Sequence, residues 1–237
     1  MNIILCGYHW TGCEALGLLI AQGHNVFVYT HKNPSHVPSL EKYCQKININ
    51  YSLDNISKAE LPFKPDVICS IYYRYIIKKH IINACNGKIF NLHPSLLPKY
   101  RGCSSLTWAM INGDKEVGFT YHYIDENCDT GNIILQESCT VKDWDTQETL
   151  YTRLMFESMK YFEQVLDLVQ QGFNGQIQEE QKSSYYPRGC PYNGEINPEW
   201  DNDFKERFIR AMIYPPYPEA KFNGQDIFDV KQLDNNI

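Results

Sequence analysis

The chain has 237 residues, a formal net charge of −6 and a sequence pI of about 5.6. This length fits one large domain, or one domain with a short appendage, and is enough to bury a sizeable core. The acidic balance argues against a phosphate-backbone partner, which calls for a basic stripe, so we expect no nucleic acid among the substrates.

Cysteine usage and hydropathy indicate the cellular setting. The nine cysteines are scattered and include no Cys-x-x-Cys pair, which is typical of reduced thiols in a cytosol and not of a disulfide or zinc framework. We therefore expect no metal. The start, Met1-Asn-Ile-Ile-Leu-Cys-Gly7, lacks the basic leader of a signal peptide, and no apolar run approaches a membrane span. These features favour a cytoplasmic protein without a membrane partner.

Apolar runs alternate with helical patterns in the first half of the chain. Residues 3–6, 26–30, 67–71 and 89–92 are predicted to be central parallel strands, with crossover helices over 14–22 and 78–84. The expected fold class is therefore α/β, a Rossmann-like and mostly parallel sheet with helices on both faces.

The second half predicts a different organisation. Residues 117–124 and 133–137 flank a loop and read as a strand pair, and apolar spacing over 146–171 predicts one long helix that stops at Gly172. From 173 onward the chain is rich in proline and tyrosine, with a single helical pattern over 204–214. Asn223-Gly224 between two short apolar stretches predicts a β-hairpin. We expect a main domain over 1–172 and a carboxyl-terminal extension over 173–237.

The stretch Asn91-Leu-His-Pro-Ser-Leu-Leu-Pro-Lys-Tyr-Arg-Gly102 carries the clearest chemistry. The amide of Asn91 can donate a hydrogen bond to an oxyanion, and His93 can accept a proton near neutral pH. A side-chain period of two at the end of a strand places both on one face. Asp129 supplies the carboxylate that such a cluster needs.

The turn Gly7-Tyr-His-Trp-Thr-Gly12 follows a strand and opens a helix, as a nucleotide-binding loop does. It lacks a Lys-Ser/Thr pair and a third glycine, so neither a Walker nor a dinucleotide loop is favoured. Tyr8, His9 and Trp10 offer aromatic faces with polar tips, which suit a sugar or a base. Packing against the following helix is an equally good interpretation.

The Asn91 to Gly102 stretch, together with Asp129-x-Gly131, resembles the signature of the 10-formyltetrahydrofolate-dependent formyltransferases, which act on glycinamide ribonucleotide, methionyl-tRNA or nucleotide sugars. The resemblance implies a formyltransferase fold and a catalytic triad. In it, Asn91 polarises the formyl group, His93 handles the amine proton, and Asp129 orients the histidine or a water.

The same resemblance implies which residues hold the folate co-substrate, 10-formyltetrahydrofolate. They fall in three stretches of the chain: Tyr75, Ile76 and Ile77; Ser95, Leu96, Leu97 and Pro98; and Asp125, Glu126, Asn127 and Cys128.

The late pattern Tyr185-Tyr-Pro-Arg188, with Pro215-Pro-Tyr-Pro-Glu-Ala220 after it, resembles the sugar-nucleotide enzymes. Methionyl-tRNA enzymes share part of this pattern. In those enzymes a basic tRNA-binding barrel follows it, and we expect none here. Arg188 can pair with a pyrophosphate and Tyr185 can stack on a base, with Tyr8 and Trp10 as further substrate contacts. A surface ion pair is the alternative role for Arg188. Elsewhere, four histidines are interpreted as solvent-facing or supporting groups: His31, His36, His80 and His122. The tyrosine cluster of Tyr72, Tyr73 and Tyr75 is interpreted as pocket wall and core.

The resemblance thus implies an N-formyltransferase for a nucleotide-linked amino sugar, most similar to the enzymes that formylate dTDP-4-amino-4,6-dideoxyglucose for lipopolysaccharide O-antigen biosynthesis. The extension would then complete the sugar-nucleotide site, and its hairpin would lie near a homodimer interface. Two alternatives stay open. A glycinamide ribonucleotide formyltransferase is weakened by the missing Gly-Ser-Asn phosphate loop, and a non-catalytic folate-binding module is weakened by the intact triad.

Overall fold

The structure is a computed structural model that describes residues 1–234. Its strands are β1 (Asn2–Gly7), β2 (Asn25–Tyr29), β3 (Tyr51–Ser52), β4 (Val67–Ile71), β5 (Ile89–His93), β6 (Arg101–Gly102), β7 (Glu116–Tyr123), β8 (Ile133–Thr140), β9 (Tyr185–Tyr186), β10 (Ala220–Phe222) and β11 (Gln225–Ile227). Its α-helices are α1 (His9–Ala21), α2 (Leu40–Ile47), α3 (Lys79–Ala84), α4 (Ser105–Asn112), α5 (Gln147–Met159), α6 (Phe162–Gln170), α7 (Asn202–Met212) and α8 (Lys231–Asp234).

The chain forms two compact units. The first comprises residues 1–93, 120–136 and 157–178, and the second comprises 94–119, 137–156 and the residues from 179 onward. Each unit is assembled from separate stretches of the chain. The functional division at residue 172 expected from the sequence stays a prediction.

A seven-stranded sheet has the order β3-β2-β1-β4-β5-β7-β8. The pairs β2–β3, β1–β2, β1–β4 and β4–β5 are parallel, and β5 pairs with β7 in the antiparallel direction. The chain therefore leaves β1 for one side of the sheet and later returns to its other side at β4. This change of direction is the switch point at which open α/β sheets bind their ligands.

Both faces of the central strands are buried, as expected for parallel strands. On one face Ile4 and Cys6 belong to a core cluster with Ile68, Ile81 and Ile89. On the other face the alternate residues of β1 are also fully buried. The predicted α/β fold class is confirmed: a mostly parallel sheet with helices in a formyltransferase fold, plus a carboxyl-terminal hairpin, β10–β11.

The prediction of one long helix over 146–171 is wrong. Two helices, α5 and α6, occupy this range, with a turn at Lys160 and Tyr161. At this turn the amides of Lys160 and Tyr161 donate to carbonyls three residues back. The hydroxyl of Tyr121 also donates to the carbonyl oxygen of Ser158 at 3.0 Å, which gives an acceptor at the end of α5 a buried partner. Gly172 does follow the second helix, with a positive φ of 79°.

In the second unit α4 packs on α7, and the Arg207 side chain donates to the carbonyl of Ile111. Asp145 is fully buried and pairs with Arg153 at 2.6 Å, while it also accepts the backbone N–H of Lys142. Because this buried carboxylate has both a cation and a backbone donor, its desolvation is compensated. The hairpin turns at Asn223-Gly224, where both residues have positive φ.

No helix within residues 1–234 is long and apolar enough to cross a bilayer.

The loop between β7 and β8 closes at Gly131, where an added Cβ would collide with the carbonyl oxygen of Tyr123. We expect Gly131→Ala to lower the free energy of unfolding by about 1–3 kcal/mol, because overpacking forces the strand pair apart. Gly17→Ala in α1 is the matched control: its Cβ meets only Tyr43 Oη, at 3.7 Å. That change should leave stability unaltered or raise it. Urea unfolding measures the free energy of unfolding of both variants. Equal values would contradict the conclusion that the carbonyl of Tyr123 leaves no room for a side chain at residue 131.

Candidate active site

Asn91 and His93 lie at the carboxyl end of β5, two residues apart and therefore on the same side of the sheet. Asn91 is half-buried and His93 is buried. The structure thus brings the predicted amide and imidazole together at the edge where parallel strands place their ligands.

Asp129 reaches the same place from the loop after β7. One carboxylate oxygen, Oδ2, lies 3.6 Å from His93 Nδ1, and the other, Oδ1, lies 3.6 Å from His122 Nε2. The Asp129 side chain is only 14% exposed. The three residues predicted to form a triad are therefore adjacent, with the carboxylate facing the Nδ1 side of the His93 imidazole.

Asp129 has a left-handed backbone conformation, with φ of 57°. Such a conformation costs free energy for a non-glycine residue and needs support from its surroundings. Gln178 provides this support, because its buried Nε2 donates to the carbonyls of Asp129 and Gly131 at 2.9 and 2.7 Å. Sequence reasoning missed Gln178, which is distant in the chain and has no local motif.

Asn91 itself is held from both neighbouring strands. Ser70 on β4 donates its hydroxyl to Asn91 Oδ1 at 2.9 Å, and Asn91 Nδ2 lies 3.2 Å from His122 Nε2 on β7. Burial lowers the pKa of His122 to about 4, against the opposing pull of the Asp129 carboxylate. His122 is therefore a neutral ring at pH 7. Its interpretation as a supporting group fits this contact, whereas Ser70 was missed.

Two of the three stretches assigned to the folate lie side by side in the first unit. Lys79, just after Tyr75-Ile-Ile77, forms a 2.5 Å ion pair with Glu126. The loop of Glu126 is tightened by Asp125, which accepts hydrogen bonds from the hydroxyl of Thr130 at 2.7 Å and from the amide of Asn127.

Ile76 is an exposed apolar side chain on a fixed backbone. Its side chain is 83% exposed, although its own carbonyl is held by the hydroxyl of Ser57. Ile77, next to it, is buried. A large apolar side chain on a fixed backbone offers a surface for a ring such as that of a folate.

The third folate stretch, Ser95 to Pro98, belongs to the second unit. The Ser95 hydroxyl donates to the carbonyl of Lys99 at 2.8 Å, and Leu97 is buried. The Leu97–Pro98 peptide bond is cis. The hydrogen bond from Ser95 to Lys99 closes the stretch as a turn.

Tyr8 and Trp10 lie in the first unit, just after β1 at the switch point. The Tyr8 ring stacks on His31, with ring centroids 4.0 Å apart, and faces Tyr72 at 6.0 Å. Burial and the nearby Arg74 guanidinium lower the pKa of His31 to about 4. Trp10 is half-buried in α1. Tyr8 therefore packs within an aromatic cluster, and part of its surface stays accessible.

The two glycines of the turn after β1 have a packing role. A Cβ on Gly7 or on Gly12 would come within about 3 Å of the side chain of Leu40, the first residue of α2. The absence of a side chain at both positions therefore lets α2 approach the turn. This packing explains why the turn has the glycine spacing of a nucleotide-binding loop but lacks the Lys-Ser/Thr pair and the third glycine of such loops.

Tyr185 and Arg188 lie in the second unit, on and just after β9. Tyr185 is 60% exposed, and Arg188 is also exposed. None of the ion pairs between residues 1 and 234 includes Arg188. Both side chains are therefore accessible to a ligand.

Across the described part of the chain, no three or more His, Cys, Asp or Glu side chains are grouped as metal ligands. The chemistry that the site offers is that of an amide donor beside an imidazole and a carboxylate. At the switch point of the sheet, an amide donor, an imidazole and a carboxylate can support acyl transfer through a tetrahedral oxyanion.

Comparison with known proteins identifies the family. A family model described as formyl transferase matches residues 13–166. GDP-perosamine N-formyltransferase of Brucella melitensis biotype 1 is 36% identical over 243 residues, covering 98% of this chain and 93% of the relative. The chain belongs to the formyltransferase family and is an enzyme of that family.

Solved structures agree. The N-formyltransferase from Helicobacter canadensis, in complex with folinic acid and dTDP-3-aminofucose, has a TM-score of 0.83 and 26% identity, covering 96% of this chain and 86% of that one. WlaRD, a sugar 3N-formyl transferase with dTDP and 5-N-formyl-THF, has a TM-score of 0.82 and 25% identity, covering 96% and 85%. The resemblance of the sequence motif to this family is confirmed.

Proposed function

We propose that the enzyme transfers the formyl group of 10-formyltetrahydrofolate to the amine of a nucleotide-linked amino sugar. The observation that carries the proposal is the 36% identity, over nearly the whole chain, with an enzyme named for such an acceptor. The adjacent Asn91, His93 and Asp129 side chains supply the chemistry that formyl transfer needs.

In the proposed reaction the uncharged sugar amine attacks the formyl carbon and a carbon–nitrogen bond forms. The formyl oxygen becomes an oxyanion, which the amide N–H of Asn91 stabilises, joined by the His93 imidazolium once that ring has taken up the amine proton. The amine proton leaves toward His93 or toward a water held by Asp129. When the tetrahedral intermediate collapses, the bond to N10 breaks and that nitrogen regains a proton, which releases tetrahydrofolate and the formylated sugar.

Folate binding is assigned to the residues that the family resemblance implied. These residues are the stretch Tyr75, Ile76 and Ile77, the loop from Asp125 to Cys128, and the turn of Ser95, Leu96, Leu97 and Pro98. The first two stretches are considered together as the first set. The exposed Ile76 and the ion pair that ties its segment to the loop support the first set.

Sugar-nucleotide binding is assigned to the residues expected from the sequence, which are Tyr8, Trp10, Tyr185 and Arg188. The exposed guanidinium of Arg188 suits a pyrophosphate, and the exposed ring of Tyr185 suits a base. The functional division of the chain, 1–172 for catalysis and 173–237 for completing the sugar-nucleotide site, is part of the same proposal.

Two nucleotide sugars are the main candidates for the formyl acceptor. The sequence resemblance favours dTDP-4-amino-4,6-dideoxyglucose, and the relative at 36% identity favours GDP-perosamine. A cytoplasmic location is proposed from the scattered cysteines, and a role in lipopolysaccharide O-antigen synthesis is proposed on the family resemblance alone.

An acceptor panel tests the proposal. The protein is incubated with 10-formyltetrahydrofolate and, separately, each of these two sugars, dTDP-3-aminofucose, a UDP-amino sugar and glycinamide ribonucleotide, with mass detection of a formyl gain. We expect gain on at least one nucleotide sugar. Gain on glycinamide ribonucleotide alone would refute the nucleotide-sugar acceptor and establish the alternative one, and no gain on any of the five amines would refute every acceptor proposed here.

The triad is tested by substitution. Asn91→Ala, His93→Ala and Asp129→Ala should each lower kcat by on the order of 10²-fold or more, because all three act on one tetrahedral intermediate. For the same reason the losses should not multiply in a double variant. His80→Ala, at an exposed histidine, is the control and should keep wild-type kcat. A folded His93→Ala protein with undiminished turnover would refute the assignment.

A homodimer is proposed from the carboxyl-terminal hairpin. Its inner residues Ala220 and Ile227 are buried within the second unit, whereas Phe228, just after it, is 54% exposed. We expect the wild-type protein to sediment as a dimer at micromolar concentration and Phe228→Asp to shift it toward monomer, because a buried unpaired charge weakens an interface. Ile177→Asp, at an exposed apolar residue of the first unit, should not shift it. A monomeric wild-type protein would refute the dimer.

A further inference from the structure

Three polar side chains form a row across three neighbouring strands. Ser70 on β4 is the register partner of Asn91 on β5, and Asn91 is the register partner of His122 on β7. Hydrogen bonds follow the row, from Ser70 Oγ to Asn91 Oδ1 at 2.9 Å and between Asn91 Nδ2 and His122 Nε2 at 3.2 Å. The catalytic amide is therefore held on both sides by groups that the sheet itself positions.

The tautomer of His122 follows from its other contact. Nδ1 lies 2.8 Å from the carbonyl oxygen of Tyr123, and a carbonyl can only accept a hydrogen bond. Nδ1 must therefore carry the ring proton. Because the buried ring is neutral, Nε2 has a lone pair and acts only as an acceptor.

This tautomer dictates the orientation of Asn91. An acceptor at Nε2 requires the NH₂ group of Asn91 to face it, and Oδ1 then faces Ser70, whose hydroxyl donates. A flipped amide would place Oδ1 against the Nε2 lone pair, acceptor against acceptor, and leave both without a hydrogen. In the observed orientation one N–H of the same NH₂ group remains for a ligand.

Asp129 does not replace this interaction. Its Oδ1 is 3.6 Å from His122 Nε2, which is too long for a hydrogen bond, and both atoms are acceptors when the ring is neutral. The His122 ring therefore forms a hydrogen bond with Asn91, whereas Asp129 lies near its Nε2 atom without a hydrogen bond to it.

We propose that His122 is a positioning residue for formyl transfer: its Nδ1–H tautomer fixes the Asn91 amide so that the free N–H faces the formyl oxygen. This inference rests on the proposed function, because it takes Asn91 to be the oxyanion donor. His122 itself does not touch the reacting atoms in this role and acts through Asn91.

Two substitutions separate this role from a structural one. In His122→Gln the side-chain amide reaches the position of Nε2, where its oxygen can still accept the Asn91 N–H. In His122→Asn the amide reaches only the position of Nδ1, so the bond to Tyr123 is kept and the acceptor for Asn91 is lost.

We expect kcat to stay within about fivefold of wild type for the glutamine variant. For the asparagine variant we expect kcat to fall by on the order of tenfold or more, because a misoriented oxyanion donor loses its effect. KM should change little in both, because the interaction is made in the transition state.

A double variant tests whether His122 acts through Asn91. Adding His122→Asn to Asn91→Ala should lower kcat no further, whereas a structural role would add its own loss. His80→Asn and His80→Gln, the same changes at an exposed histidine, should both keep wild-type kcat. Equal kcat for the two His122 variants, with wild-type-like thermal unfolding, would overturn the proposal. So would a further loss in the double variant.

Nitrogen NMR of the imidazole rings gives a readout that does not depend on turnover. In the wild-type protein we expect a protonated Nδ1 and a bare Nε2 for His122 at pH 7, and a charged ring or an Nε2–H tautomer would overturn the inference directly. An inactive wild-type protein with the expected tautomer would instead overturn the proposed function, and with it the catalytic part of this inference. The orientation of the amide would still stand. The two failures are therefore distinguishable.

Discussion

The register of hydrogen bonds between neighbouring strands is the constraint on which the candidate active site depends. β5 is paired on one side with β4 and on the other with β7, and these pairings put a hydroxyl and an imidazole opposite Asn91. Because the side-chain period of a strand is two, a slip of one residue would turn Asn91 away from both partners. The geometry of the site is therefore a property of the sheet and not of its loops alone.

Burial makes this polar row sensitive to its hydrogen bonds. A buried polar group without a partner costs about 1–3 kcal/mol, and a buried charge costs more. The row avoids both costs, because His122 is neutral and each of its ring nitrogens has a partner. Asp129, whose side chain is 14% exposed, lies beside the His93 ring, with Oδ2 3.6 Å from Nδ1.

The sequence predicted the parts of the fold that depend on local patterns. The central strands follow from apolar runs, the hairpin from Asn223-Gly224, and the proximity of Asn91 and His93 from the strand period. α2 was missed, although Ser39 caps its start and Asn48 closes its end in the left-handed conformation, and both are visible signals. The break between α5 and α6 was not predictable, because it contains no glycine or proline and depends on long-range contacts such as that of Tyr121. Ser70 and Gln178 were not predictable either. The contact of Ser70 with Asn91 depends on strand register, and Gln178 contacts a loop that is distant in the sequence.

Ile76 has a consequence for how a co-substrate is received. Its side chain is exposed, yet the Ser57 hydroxyl donates to its backbone carbonyl and accepts the amide of Lys78. The segment is thus ordered before any ligand arrives, and its loss of conformational entropy belongs to folding and not to association. Covering this apolar surface would then appear in calorimetry mainly as a negative heat-capacity change, without the large entropic penalty of a loop that folds upon binding.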